Sequence, residues 1–392
     1  MKQIRSLLAL FLKLFLSRPG SGVIIVLGVT GLTAIVTALF TISETFETAL
    51  TSTGQPDRAL LLRAGSTSEI NGNVALDQYL TVLDMPYLKR SSDAGLASRE
   101  TYVTANLRLK DSSKEATLPL RGVEAPAFSV RPEIKIVSGA KFDSGKYELI
   151  AGVKAAQTFA GLEVGQTIQI RGQDYLVRGH FSAQGSASET ELWMDERLLA
   201  QTLGRGETFS SILVRLENAD AFEEFKTQLE ADRRLTLSAY QESDYYHDLA
   251  GPTTGMIETL GLLVAIIMSF GALAAGINSM QTALESRTRE IATLRALGFG
   301  RLSVLSAVLA ECAVLSLLGA SAAIVSLFIL LDGQTLSTVA AATTSGTQVA
   351  FEFHLTKQSL GIASGTAISL GVLGGLLPGV AAIRRPIPQA LR

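Results

Sequence analysis

The stretch that decides the fold is SRTREIATLRALGFGR, residues Ser286–Arg301, a charged segment between two long apolar runs. Four aliphatic residues in and just before it are Leu284, Ile291, Leu294 and Leu297. Their spacings of seven, three and three residues predict a helix with one apolar edge, and Gly298 suits the position after its C-terminus. An apolar edge bracketed by charges predicts a helix that docks in a groove of a partner protein. The alternative is a hairpin that carries only a topological signal.

The bulk composition indicates a membrane protein. Of the 392 residues, 47% are hydrophobic and 18% are charged, and the mean hydropathy is +0.31. Soluble domains usually carry about 25% charged residues. The net charge of −2 argues against a nucleic-acid partner. The single cysteine, Cys312, excludes an internal disulfide, and its apolar surroundings predict a buried thiol rather than a reactive one.

Four apolar stretches are long enough to cross a bilayer, which takes about 20 helical residues. They run over residues 22–42, 259–279, 303–331 and 360–383. Glu311 interrupts the third near one end, from where a carboxylate can still reach headgroups or a partner. The sequence therefore predicts a membrane α-helical protein with four transmembrane helices and an extracytoplasmic α+β domain inserted between helices 1 and 2.

Lysine and arginine set the predicted orientation. Basic residues precede the first span and follow the fourth, whereas the connection between the third and fourth spans holds only Lys357, at its end. The basic residues between the second and third spans are Arg287, Arg289, Arg295 and Arg301. The positive-inside rule therefore predicts that both termini and this loop are cytoplasmic and that the long segment after the first span lies outside.

The spans and their orientation predict a division of the chain. The N-terminal segment is interpreted as an amphipathic helix rather than a signal peptide, because Lys13 breaks its apolar core and no cleavage site follows. The predicted segments are 1–20 for this cytoplasmic interfacial helix, 21–42 for the first span, 43–255 for the outer domain with stalk flanks, 256–283 for the second span, 284–302 for the cytoplasmic loop, 303–331 for the third span, 332–358 for a short outer loop, 359–383 for the fourth span and 384–392 for a cytoplasmic tail.

The outer segment has the alternating patterns of an α+β domain. Strands are predicted over residues 58–63, 100–109, 117–123, 134–137, 147–151, 166–170, 175–180, 191–194, 211–216 and 236–240. Helices are predicted over residues 74–83, 153–159 and 220–229. Phe46 and Leu50 need an apolar partner, so the flanks 43–50 and 243–248 are interpreted as a helical stalk, with two linkers as the alternative.

No catalytic or cofactor-binding pattern stands out, which predicts a non-enzymatic chain. The sequence lacks a Walker loop, so ATP and Mg²⁺ are expected in a partner chain and no cofactor in this one. His180, His247 and His354 are scattered, which argues against a metal site. The fourth span repeats glycine at four-residue spacing, and this pattern predicts close helix packing.

The charged loop resembles the cytoplasmic coupling helix of MacB/FtsX-type permeases of type VII ABC transporters, R-E-I-G-x-L-R-A-L-G-A-x-R. The matches are Arg289-Glu290-Ile291, Leu294-Arg295-Ala296-Leu297-Gly298 and Arg301. Ala292 replaces the usual glycine, and Phe299-Gly300 replaces a small pair. The tail from Pro378 to Arg392 resembles the C-terminal pattern of the family, and residues 136–165 resemble the MacB-like periplasmic core domain.

The resemblance implies a permease subunit of an ABC transporter in the bacterial inner membrane. In this family two permeases pair, as a homodimer or a heterodimer of paralogues, and two ATPase subunits dock beneath them. ATP-driven closure then moves the outer domains, which is mechanotransmission, and an export role further implies a periplasmic adaptor. The residues implied to couple to the ATPase are Arg287, Arg289, Glu290, Ile291, Leu294, Arg295, Leu297, Gly298 and Arg301.

Three functions fit this resemblance. The first is export or efflux, the second is lipoprotein release of the LolC/LolE kind, and the third is an FtsX-like transmitter that regulates a cell-wall hydrolase without transport. The long outer segment favours the first two, because FtsX domains are typically smaller. A membrane-anchored enzyme is a remote fourth interpretation.

Overall fold

The computed structural model describes residues 20–91, 94–110, 114–339 and 348–384. The predicted interfacial helix over residues 1–20 and the predicted tail over 384–392 lie almost wholly outside the described residues. The chain divides into two compact units. The helical unit comprises residues up to 43, 256–333 and 353 onward, and the sheet unit comprises 44–255 and 334–352.

Long apolar helices make up the helical unit. Among the described residues, four helices are long and apolar enough to cross a membrane: α1, α7, α9 and α10. In chain order the α-helices are α1 Gly20–Thr51, α2 Leu76–Leu83, α3 Ala127–Val130, α4 Val153–Thr158, α5 Glu196–Thr202, α6 Phe222–Ala231, α7 Glu242–Ser286, α8 Thr288–Ala296, α9 Arg301–Leu330 and α10 Lys357–Arg384. Because α1 runs on to Thr51 and α7 begins at Glu242, the flanks predicted to form a stalk are helical.

Close contact between α9 and α10 depends on glycine. A Cβ at Gly371 would lie 2.3 Å from Ser316 Oγ, and a Cβ at Gly375 would lie 2.5 Å from Cys312 Sγ. Such small residues let two apolar helices approach closely. The glycine pattern therefore produces the predicted tight packing, and the Cys312 thiol is buried in it as predicted.

Strands build most of the sheet unit. They are β1 Arg58–Arg63, β2 Val74–Ala75, β3 Arg90–Ser91, β4 Ala94–Gly95, β5 Ala97–Arg108, β6 Glu115–Val123, β7 Lys135–Gly139, β8 Glu148–Gly152, β9 Thr167–Ile170, β10 Gln173–Ser182, β11 Leu192–Asp195, β12 Thr208–Phe209, β13 Ser211–Arg215, β14 Leu237–Gln241, β15 Thr335–Val339 and β16 Gln348–Glu352. Each strand predicted in the outer segment is confirmed to within a few residues. Burial alternates along β9 and β10, which have one buried face, whereas β8 and β11 are buried along their whole length.

One large sheet orders these strands as β14-β1-β13-β5-β6-β11-β8-β10-β7, with β9 paired to β10. Most neighbours are antiparallel, but β10 and β8 run parallel, as do β11 and β6. The β9–β10 hairpin turns at Arg171 and Gly172, whose φ angles are +50° and +85°. Positive φ at both turn residues is the type I′ geometry that suits a two-residue hairpin.

Separate apolar clusters pack on different parts of this sheet. One cluster joins β1, β13 and β14 to α2 and α6, with Phe225 fully buried. Phe222 and Leu229 are also buried there, as the amphipathic pattern of the sequence predicts. A second cluster joins β6, β8, β10 and β11 to α4, and a third surrounds Trp193.

The connection between α9 and α10 contains two strands that the sequence does not predict. The sequence indicates a short outer loop over residues 332–358, whereas β15 and β16 pair antiparallel there, and both strands belong to the sheet unit. Phe351 of β16 is buried and meets Phe46 edge to face, with ring centroids 5.8 Å apart. This contact supplies the partner that Phe46 needs, and no local pattern could have shown that it comes from so distant a segment.

Candidate functional site

Helix α8 is a short helix between two long ones. It begins after Arg287, whose backbone leaves the helical region, and ends at Ala296. The Leu297 N–H donates to Thr293 O at 3.0 Å, and Gly298 follows with φ of +94°. Only glycine adopts that conformation without strain, so Gly298 ends the helix as predicted.

The inner face of α8 packs into the helical unit. Ile291 is 4% exposed and the adjacent Ala292 is 2% exposed. The cluster around Ile291 consists of Met280, Leu284, Val304, Val308 and Cys312. Ile291 and Leu284 are therefore buried inside the helical unit, whereas the sequence predicts that they face a partner. Apolar spacing identifies a buried helix face, but it does not distinguish the chain's own core from a partner's groove.

Arg287 also lies inside the helical unit. Its Nη1 donates to Glu311 Oε1 at 3.1 Å and to Oε2 at 3.3 Å, and the two side chains are only 9% and 6% exposed. Removing one partner of a buried ion pair costs about 3–5 kcal/mol. Arg287, predicted to face an ATPase, thus joins the start of α8 to α9, and Glu311 finds its partner within the chain rather than among headgroups.

The outer face of α8 and the turn after it are exposed. We define the docking patch as the exposed residues Arg289, Glu290, Thr293, Leu297, Arg301 and Leu302. Leu297 is 73% exposed and Leu302 is 79% exposed, so this polar surface carries two large apolar side chains. Arg295 is half-buried, Gly298 is exposed, and the side chain of Leu294 lies outside the described part of the chain.

Sequence reasoning missed Leu302. It stands in the first turn of α9, where it looks like the beginning of an apolar span. Its position beside Arg301 in a turn after a capped helix is the signal that could have singled it out.

A cavity of about 170 Å³ opens beside α8. It is lined by Gln281, Leu284, Glu285, Thr288, Ile291, Ala292, Arg295, Pro378, Ala381 and Ala382. These residues come from the end of α7, from α8 and from the end of α10. The site thus combines a hollow lined by both polar and apolar side chains with an exposed charged helix, which is suited to protein contact.

The His180 side chain makes hydrogen-bond contacts within the sheet unit. Nε2 of His180 lies 2.6 Å from Leu162 O, and Nδ1 lies 3.1 Å from Ser138 Oγ. Within the described ranges, no group of three or more His, Cys, Asp and Glu side chains could hold a metal ion.

The described part of the chain combines four helices long and apolar enough to cross a membrane, a charged helix between two of them and an α+β sheet unit. Residues 23–232 match the MacB-like periplasmic core domain, and residues 262–387 match the FtsX-like permease C-terminal domain. The chain therefore belongs to the family of MacB/FtsX-type ABC transporter permeases, which confirms the resemblance seen in the sequence.

Individual relatives are distant. The chain is 24% identical over 265 residues to the uncharacterized ABC transporter permease YknZ of Bacillus subtilis (strain 168), an alignment that covers 64% of this chain and 66% of that protein. The periplasmic region of MacB from Actinobacillus actinomycetemcomitans aligns with a TM-score of 0.36 and 14% identity, covering 48% of this chain and 90% of that one. The extracellular domain of the noncanonic ABC-type transporter YknZ from Gram-positive bacteria aligns with a TM-score of 0.35 and 15% identity, covering 47% and 99%.

Proposed function

We propose that this chain is a non-catalytic permease subunit that passes the motion of a separate ATPase to its sheet unit on the other side of the bacterial inner membrane. The observation that carries the proposal is the docking patch on α8. A helix held from behind by Ile291 and by the Arg287–Glu311 pair presents exposed leucines and charges on a fixed support. Such a surface fits a groove on another protein.

The proposed orientation places the docking patch in the cytoplasm, where an ATPase has access to ATP. Arginine and lysine are concentrated near α8 and at both ends of the chain, which supports cytoplasmic termini. The sheet unit would then lie in the periplasm. The helices that lead to it, α1 and α7, extend beyond the apolar spans without interruption and suit a stalk.

The proposed partners are an ABC ATPase that binds ATP and Mg²⁺, a second permease copy and a periplasmic adaptor for export. A photo-crosslinker at Leu297 in native membranes tests the first of these. We expect it to capture a nucleotide-binding subunit, whereas the same probe at Leu80, an exposed leucine of the sheet unit, should not. Equal capture of that subunit at both positions, or no capture at Leu297, would contradict the proposal.

Copurification with the complex distinguishes the functional alternatives. An adaptor protein in the complex supports export or efflux. A lipidated protein bound to the sheet unit supports release of the LolC/LolE kind, and a peptidoglycan hydrolase supports an FtsX-like transmitter. The size of the sheet unit, residues 44–255 and 334–352, favours a domain that handles a bound protein over a small switch domain.

A further inference from the structure

Charged side chains form a buried network inside the sheet unit. Its members are Arg58, Glu69, Glu100, Arg121, Arg131, Glu191 and Glu242. Each of these side chains is at most 5% exposed. Buried ion pairs are rarely the most stable way to fill a core, because desolvation offsets their attraction. Such a network therefore points to a role in positioning the segments that it joins.

The centre of the network is Arg121 on β6. Its guanidinium lies 2.9 Å from Glu69, 2.6 Å from Glu100 and 2.8 Å from Glu191. Glu100 also accepts from Arg131. Burial acts to raise the pKa of Glu100, but Arg131 and Arg121 outweigh it and hold that pKa below its usual value.

Glu242, the first residue of α7, connects this centre to the end of α1. Its Oε2 accepts from Gln55 N at 3.0 Å and from Arg58 Nε, and its Oε1 lies 3.6 Å from Arg131 Nη2. Arg58 also donates to Thr53 O at 3.1 Å. The Glu242 carboxylate thus contacts three segments, which are the residues just after α1, strand β1 and the turn before β7.

The chain just after α1 touches the start of α7 directly at Gly54. A Cβ at Gly54 would lie 2.4 Å from Glu242 O, so the backbones approach as closely as glycine permits. One turn further along α7, Tyr245 and Tyr246 are buried, and the Tyr245 hydroxyl accepts from Glu69 N at 3.3 Å. The start of α7 is therefore embedded in the sheet unit rather than leading into it through a loose linker.

We propose that Glu242 is a positioning residue that latches the ends of α1 and α7 to each other and to the strands. A displacement of α7 would then move the strands together with it. Without the latch, the junction between α7 and the sheet would deform and the strands would stay in place. The alternative is that Glu242 contributes only to stability. The latch rests on the proposed function for the origin of the displacement, but its geometry does not depend on an ATPase.

The test measures how tightly α7 is held in the full-length chain in lipid nanodiscs. Spin labels at Glu223 on α6 and Asp248 on α7, both exposed, report the distance between these helices. We expect one narrow distance distribution in the native chain and a broad one in Glu242→Gln. Hydrogen exchange of the Gln55 amide should also accelerate by about tenfold, the change that 1.4 kcal/mol produces. Glu196→Gln, which breaks the buried pair with Arg99, is the matched control and should leave both measurements unchanged.

A second variant keeps the proposal testable if Glu242→Gln does not fold. Gly54→Ala keeps every charge but pushes the segment after α1 away from the start of α7, and it should broaden the same distribution. Narrow, native-like distributions in whichever of these variants fold, or equal broadening in Glu196→Gln, would overturn the latch. A Leu297→Asp variant that fails to bind an ATPase should keep the narrow distribution, so failure of the proposed function and failure of the latch are distinguishable.

Discussion

Removing the Arg287–Glu311 pair should loosen α8 while leaving the sheet unit folded. Glu311→Gln leaves a guanidinium that is 9% exposed without its carboxylate. Breaking a buried pair costs about 3–5 kcal/mol, and the lower figure applies because the glutamine amide oxygen still accepts one hydrogen bond. About 3 kcal/mol corresponds to roughly a hundredfold change in a local opening equilibrium.

Hydrogen exchange of the full chain in nanodiscs measures this opening. We expect amides of residues 287–296 to exchange roughly a hundredfold faster in Glu311→Gln. Glu290→Gln, on the exposed face of the same helix, is the control and should change little. Replacing both partners, Arg287→Met with Glu311→Leu, should restore most of the protection, because an apolar pair avoids the desolvation penalty. Native exchange rates in Glu311→Gln would refute the role assigned to the pair.

Three further predictions follow from the described residues. In a cysteine-free background, Thr67→Cys should react with an impermeant maleimide on intact cells and Ser286→Cys should not; the reverse pattern would contradict the orientation. Gly371→Val should lower the free energy of unfolding by about 1–3 kcal/mol through overpacking against α9, and an unchanged denaturation midpoint would count against that contact. The pKa of the Glu100 carboxyl is lower in the folded chain than in the unfolded chain. Ionised Glu100 therefore contributes fully to stability at a pH above its unfolded pKa of about 4.3, and this contribution is lost as the pH falls through and below that pKa. Unfolding followed by the emission of Trp193, the single tryptophan, should therefore become easier on acidification, and this effect should be smaller in Glu100→Gln. An equal dependence of stability on pH in both proteins would contradict this prediction.

Local pattern was enough to predict most elements of this fold. The strand over Arg58–Arg63 was predicted with the bounds that the structure shows. The helix around Phe225 and the cap at Gly298 were also predicted, because amphipathic spacing and a left-handed glycine are encoded within a few residues. The same holds for the four apolar helices, whose length and composition are visible without any tertiary contact.

Pairings between distant residues could not be predicted. Arg287 looked like a surface charge because its partner, Glu311, lies in another helix. The network around Arg121 was missed for the same reason, since charged residues are ordinarily exposed and only the fold brings Glu69, Glu100 and Glu191 together. Periodicity indicates that a residue has a buried neighbour, but it does not identify that neighbour.

The central claim is that the docking patch binds a separate ATPase, and the binding affinity of a Leu297→Asp variant tests it most directly. Burying a leucine side chain is worth about 1.5–3 kcal/mol. The variant in nanodiscs should therefore bind the purified ATPase subunit at least about tenfold more weakly than the native chain, and it should lose permease-stimulated ATP hydrolysis. Leu80→Asp, an equivalent change at an exposed leucine of the sheet unit, should keep native affinity. Native affinity in Leu297→Asp would contradict the claim and leave α8 as a topological hairpin.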